Sequence, residues 1–243
     1  MNFSPTRIKA ILRNELRDYR RNRFIVYTMS LLPLIFIAAP IAQLFTLNVA
    51  IIGSKFNNRI GVSLLDMLIL PAIIPSILAA YSVIGEREQG TLEPILTTPI
   101  RAEEFLIAKA LAVFIPTIVV SYFIFGIFLG AVAVFAHPIV AATIFERNHI
   151  LTQLVFTPLI SGWSIWTGIA ISTYISDVRA AQQLTVLASL PPLVIVILMN
   201  FNIIAPSLSL ALGLAVVLFL IDTMAWRFVT TLFNRERLIT GKH

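Results

Sequence analysis

The sequence contains no cysteine. That excludes disulfides, thiolate metal sites and a cysteine nucleophile, and leaves the compartment open. Charge is scarce: Asp, Glu, Lys and Arg make up 12% of the chain, against about 25% in an ordinary soluble protein. Histidine is scarcer still, and His137 and His149 lie too far from other ligand types in sequence to suggest a metal site. No GxxxxGKS or GxxxxGKT segment occurs, so the chain builds no phosphate-cradling loop of its own. Gly241-Lys242 has neither the earlier glycine nor the preceding strand.

What the chain has instead is apolar length. Of its 243 residues 58% are hydrophobic, and the mean hydropathy is +0.91. A water-soluble domain cannot hide that much apolar surface, so the solvent is lipid, and the expected class is an all-α integral membrane protein. Six stretches reach the roughly 20 residues needed to cross a bilayer, at 24–46, 62–84, 108–135, 150–176, 181–201 and 206–226. The first is too long for a cleavable signal, contains Pro33 and Pro40, and follows a long charged segment.

Basic residues set the orientation. Arg7, Lys9, Arg13, Arg17, Arg20, Arg21 and Arg23 precede the first span; Arg87, Arg101 and Lys109 fall in the second loop, Arg179 in the fourth, and Arg227, Arg235, Arg237 and Lys242 after the last. Only Lys55, Arg59 and Arg147 fall on the other side. Both termini and the loop at 85–107 are therefore expected in the cytoplasm of a multi-pass plasma-membrane protein. The net charge of +6 is spent on topology and gives no reason to expect nucleic acid.

Residues 4–22 read as an amphipathic helix on the cytoplasmic surface. Ser4 can cap it, Pro5 suits the first helical position, and Ile8, Ile11, Leu12, Leu16 and Tyr19 recur at helical spacing opposite the arginines. Within the spans, Gly126 and Gly130, Ser164 and Gly168, and Ser209 and Gly213 form small-xxx-small pairs, for which packing inside one bundle is the expected use. Prolines break several spans: Pro71 and Pro75, Pro116, Pro158, and Pro191-Pro192. Each frees a backbone carbonyl that needs a partner or a wet cavity. The second and fifth spans pair such breaks with Ser76 and Tyr81, or with Thr185 and Ser189, and these four are candidate pathway residues.

A carboxylate at mid-bilayer costs about 2.5–3.5 kcal/mol on insertion scales. Asp66 is read as about a turn inside the outer boundary, and Asp222 as near the inner one, just ahead of Trp226 and Arg227. Interfacial solvation or a local ion pair is the plain expectation for both, a proton or cation relay the sharper one. Trp163 and Trp166 fall mid-span and read as packing residues. Ser161-Gly162 and Glu103-Glu104 each resemble a step of an intramembrane protease, but no intramembrane histidine accompanies them as base or ligand.

The densest polar island lies between the second and third spans. Gly85 and Gly90 interrupt the helical pattern, Thr91 is placed to cap, and Glu93 sits at the positive end of a short following helix over roughly 91–97. Pro99 stops that helix. A plain turn does not need about 25 residues with a helix of their own.

The run Glu86-Arg87-Glu88-x-Gly90-Thr91-Leu92-Glu93-x-x-Leu96-x-Thr98-Pro99-x-Arg101-x-x-Glu104-x-x-x-x-Lys109 resembles the hallmark of ABC-2 type transporter permeases. Ser176 to Leu184 is similar to that family's junction between fourth and fifth spans, and the resemblance covers essentially the whole chain as a single permease domain, 1–243. Pro94 and Ala108 depart from the family pattern. The resemblance implies a coupling helix at the 85–107 loop, docked on a separate P-loop ATPase present in two copies. ATP and Mg would sit on that partner, and this chain would bind no cofactor and catalyse nothing itself. Thr91, Leu92, Glu93 and Leu96 would dock, with Gly90 and Pro99 bounding the helix. Glu86 and Glu88 would extend the second span as a lever, and Arg101 and Glu104 would fasten the loop to the third. Six spans make half a pathway, so a second copy or a paralogue is implied, and the sparse charge favours export of a hydrophobic or amphipathic cargo. The competing reading is a secondary transporter or channel driven by an ion gradient, which would carry ionisable groups at mid-membrane and internal repeats. The two halves of the sequence show no repeat.

Overall fold

A computed structural model describes residues 4–46, 54–88, 101–175, 177–200 and 208–240. Among them every regular element is a helix, as lipid demands of a backbone that must satisfy its own hydrogen bonds. The elements are α1 (Pro5–Arg21), α2 (Arg23–Thr46), α3 (Ser54–Glu88), α4 (Ala102–Phe135), α5 (Pro138–Ile144), α6 (Arg147–Tyr174), α7 (Val178–Ala188), α8 (Leu190–Asn200) and α9 (Leu208–Thr240). Five of the described helices, α2, α3, α4, α6 and α9, are long and apolar enough to cross a membrane.

Helix α3 is the centre of the bundle. Of its apolar window 78% is buried in the protein, against 17% for α9. Helices α2, α4, α6, α7 and α8 all pack against it. Its core face carries Leu64, Leu68, Ile74, Leu78 and Ala79, each nearly or wholly inaccessible. Where α3, α6 and α7 meet, Gly168 permits the approach: a Cβ there would come within 2.9 Å of the Ala79 Cβ and 3.1 Å of the Thr185 Cγ2. The Ser164/Gly168 pair thus packs within the bundle as expected. The glycines of the other two pairs differ. Among the described residues a Cβ on Gly126, Gly130 or Gly213 would meet nothing within 4 Å, so no packing partner within the bundle is seen there for these three.

The fifth expected span, 181–201, is present as two eleven-residue helices, α7 and α8, that meet at Ser189. Neither is long enough alone to cross. The break has a covalent cause: Pro191 and Pro192 lack the N–H groups that would reach Leu187 and Ala188 one turn back. The carbonyl of Ala188 instead accepts the indole N–H of Trp163, at 2.8 Å. The same solution recurs at Pro158, whose missing donor frees the Leu154 carbonyl to accept the Tyr122 hydroxyl, at 2.8 Å. Two of the carbonyls freed by proline are therefore met by aromatic donors from a neighbouring helix, and no wet cavity is needed for them.

Helix ends also differ from the expectation. Ser4 makes no side-chain cap on α1, although Pro5 does open it. Helix α4 starts at Ala102, before the expected 108, and α9 runs on to Thr240, well past the expected 226. Residues 232–240 of α9 lie beyond the apolar window Leu212–Thr231 and include Asn234, Arg235, Glu236 and Arg237.

Candidate functional site

The described ends of α3 and α4 flank residues 89–100, and α1 packs along α4. Helix α1 is amphipathic in its burial: Ile8 and Tyr19 are buried, while Lys9, Arg13, Arg17, Arg20 and Arg21 are exposed. Glu15 falls on the buried stripe, three residues after Leu12 and four before Tyr19. A carboxylate there needs a cation, and Lys109 of α4 supplies it.

Lys109 Nζ stands 2.8 Å from Glu15 Oε1 and 2.9 Å from Glu86 Oε1 near the end of α3. Its third donor direction reaches the Ser82 carbonyl at 2.8 Å. The ammonium also lies 5.1 Å from the centre of the Phe105 ring, within cation–π range. Lys109 is 1% exposed, so one buried cation binds one carboxylate from each of two other helices. Burial, and next the Glu15 carboxylate, hold the Tyr19 phenol well above the usual tyrosine range.

A second tie lies one turn away along α4. Glu104, with no accessible surface, accepts the backbone N–H of Ser4 at 2.7 Å and of Arg101 at 3.3 Å. It also pairs with Arg7 at 3.5 Å. The carboxylate thus closes the N-terminus of α4, where the helix dipole favours it, and holds the start of α1 there. At the junction of α1 and α2, Asn22 Nδ2 donates to the Tyr81 hydroxyl of α3 at 2.7 Å.

Of the residues expected to couple the chain to a partner, the fold therefore brings Glu86 and Glu104 onto α1, with Arg101 at the α4 cap. Glu88 is the last residue of α3, and its side chain lies outside the described residues, as do Gly90, Thr91, Leu92, Glu93, Leu96 and Pro99. Sequence reasoning missed Glu15, Asn22 and Ser82, and placed Lys109 in the motif without giving it a role. The available signal was Glu15, an acid on an otherwise apolar stripe.

The candidate pathway residues are all tied up in this conformation. Ser76, Thr185 and Ser189 are fully buried, and their hydroxyls donate to Ala72, Ala181 and Val186 of the helical turn before each. Tyr81 is held by Asn22.

The two intramembrane acids part company. Asp66 accepts from Gln43 Nε2 at 3.4 Å, and Gln43 in turn accepts from Ser63 at 2.7 Å, a local polar cluster in place of an ion pair. Asp222 lies further from a helix end than its expected place near the inner boundary. It stands opposite Gly162, near the middle of α6, and near the middle of the apolar window of α9. Its Oδ1 is buried without a hydrogen-bond partner among the described residues.

A helical bundle with several spanning helices and an ion-paired polar base defines a multi-pass membrane protein. The chain belongs to the ABC-2 transporter family: the model of that family, described as ABC-2 family transporter protein, matches residues 11–176. The matched stretch runs from within α1 to just beyond α6, and so includes Glu15, Glu86 and Lys109, while of the second tie it includes Glu104 but not Ser4 or Arg7. Proteins of this family are membrane subunits of ABC transporters and are not themselves catalytic, and the family implies an ATPase partner. No curated protein matches the chain.

Proposed function

We propose that the chain is one half of the translocation pathway of an ATP-driven exporter, docked on its separate ATPase through residues 89–100. The observation that carries this reading is the Lys109 cluster. It joins both legs of that loop, Glu86 on one and Lys109 on the other, to α1. A force delivered at the loop then moves three helices together instead of bending one. Coupling requires that the partner touch two states differently, and a rigid base turns small local differences into motion of the bundle.

In this reading α1 lies on the cytoplasmic face with its arginines toward anionic headgroups. The α7–α8 pair makes the fifth of six crossings, and two copies, or this chain and a paralogue, meet around α3 and the α7–α8 break. Ser76, Thr185 and Ser189 reach the pathway when α3, α6 and α7 separate. ATP and Mg stay on the partner, two copies of which serve one transporter. The cargo is hydrophobic or amphipathic, as expected of a path with few fixed charges.

The test is substitution in the loop. Leu92→Ala combined with Glu93→Ala should reduce ATP-dependent transport in proteoliposomes to the level without ATP, while membrane insertion and permease assembly persist. Unchanged transport after replacing 89–100 by a glycine-serine linker would sink the reading. The ion-gradient alternative gains one observation, the central Asp222. Family membership across α1 to α6 weighs against it.

A further inference from the structure

Asp222 has no evident structural task. A carboxylate that served helix adhesion would take a donor from the facing helix, and Oδ1 has none among the described residues. Arg227 cannot help from its own helix: five residues on, it lies about 140° round the axis and is exposed. The facing helix makes room for the carboxylate in particular. A Cβ on Gly162 would stand 2.8 Å from Asp222 Oδ2 and 3.4 Å from its Cγ. Four residues beyond Gly162 and four beyond Asp222 come Trp166 and Trp226, whose rings meet edge-on with centroids 5.0 Å apart. Both are only partly buried. An acid and two indoles one turn below it therefore share the groove between α6 and α9. Beside them α9 exposes Phe219, Ile221 and Met224 to the bilayer.

We propose that this groove binds an organic cation with an apolar body, its charge against Asp222 and its body against Trp166 and Trp226. A carboxylate supplies the counter-charge, and indole faces attract cations that are poorly hydrated. A hard metal ion fits badly, since it would want six or more oxygen ligands and the groove offers one acid. Asp222, Trp166 and Trp226 are each partly exposed, beside apolar side chains of α9 that face outward, where an amphipathic cation partitions. The proposal rests on the export reading above and names the class of its cargo.

Binding is measured on the full chain with its ATPase in nanodiscs, without ATP, using tetraphenylphosphonium. Its permanent charge removes proton exchange from the experiment. Triphenylphosphine oxide is the neutral control. Asp222→Asn should weaken binding of the cation about tenfold or more, as removal of a counter-charge in a low-dielectric site requires. The oxide should bind both proteins alike, and Asp222→Glu should retain more cation binding than Asp222→Asn. A second measurement needs no variant: tetraphenylphosphonium should slow labelling of Asp222 by a hydrophobic carbodiimide, read by mass spectrometry. Equal binding of the cation by wild type and Asp222→Asn, or no protection of Asp222, overturns the proposal. The paired Leu92→Ala and Glu93→Ala variant separates the two ideas. If it still transports, the coupling reading falls, while cation binding at Asp222 stands or falls on its own measurement.

Discussion

Lys109 is the residue on which most of the polar base depends. Removing one member of a buried ion pair costs about 3–5 kcal/mol, because the partner keeps its charge in a poor solvent. Lys109→Met leaves two carboxylates, Glu15 and Glu86, sharing one desolvated site, so the cost should reach that range. Glu15→Gln or Glu86→Gln leaves a one-to-one pair and should cost less, on the order of 1 kcal/mol. Thermal or denaturant unfolding of the purified variants checks the order, and equal losses for lysine and glutamate substitutions would contradict the shared-cation arrangement. The sequence made Glu86, Glu104 and Lys109 visible as spaced charges. It could not say that Glu15, ninety-four positions from Lys109, would be the second acid, because helical spacing assigns a face and not the partner that face meets.

Among the helices, the broken fifth crossing best separates what local chemistry fixes from what tertiary contact decides. Pro191-Pro192 announces that a carbonyl will go unmet, and nothing local names Trp163 as its donor. Leaving a buried carbonyl unpaired costs roughly 1–3 kcal/mol, and Trp163→Phe should show that loss on unfolding. Pro192→Ala supplies an amide N–H one turn along and should recover most of it in the double variant, although alone it changes little. A double-mutant cycle with no coupling between the two positions would show that the indole contact is incidental. The small-residue pairs teach a complementary lesson. Ser164/Gly168 and Gly126/Gly130 have the same spacing, yet among the described residues only the first meets a neighbouring helix. Spacing tells which residues share a face; the bundle's topology decides whether anything faces them. The acids behave likewise. Asp222 was expected near a span end because the apolar run gave no sign of how far α9 would continue, and the helix extends fourteen residues beyond the 226 at which the span was expected to stop.

At the scale of the molecule, the all-helical class and the approximate positions of α2, α3, α4, α6 and α9 were legible from hydropathy alone, since lipid leaves the chain few alternatives. Orientation rests on the basic residues and is open to a direct check. The natural chain has no cysteine, so a single introduced thiol is a clean reporter. In intact cells a membrane-impermeant maleimide should label Arg147→Cys, whereas Lys9→Cys should react only after permeabilisation. The reverse pattern would invert the topology and place the 89–100 loop where no ATPase could reach it.

The ties between α1 and α4 carry a consequence for how the protein is made. Ser4 and Glu104 are one hundred positions apart, and Glu15 and Lys109 ninety-four. At translation rates of about 5–20 residues per second, Glu15 leaves the ribosome roughly 5–20 s before its lysine exists. Through that interval the acid of α1 must wait unpaired, so α1 takes its place only after α4 has been made.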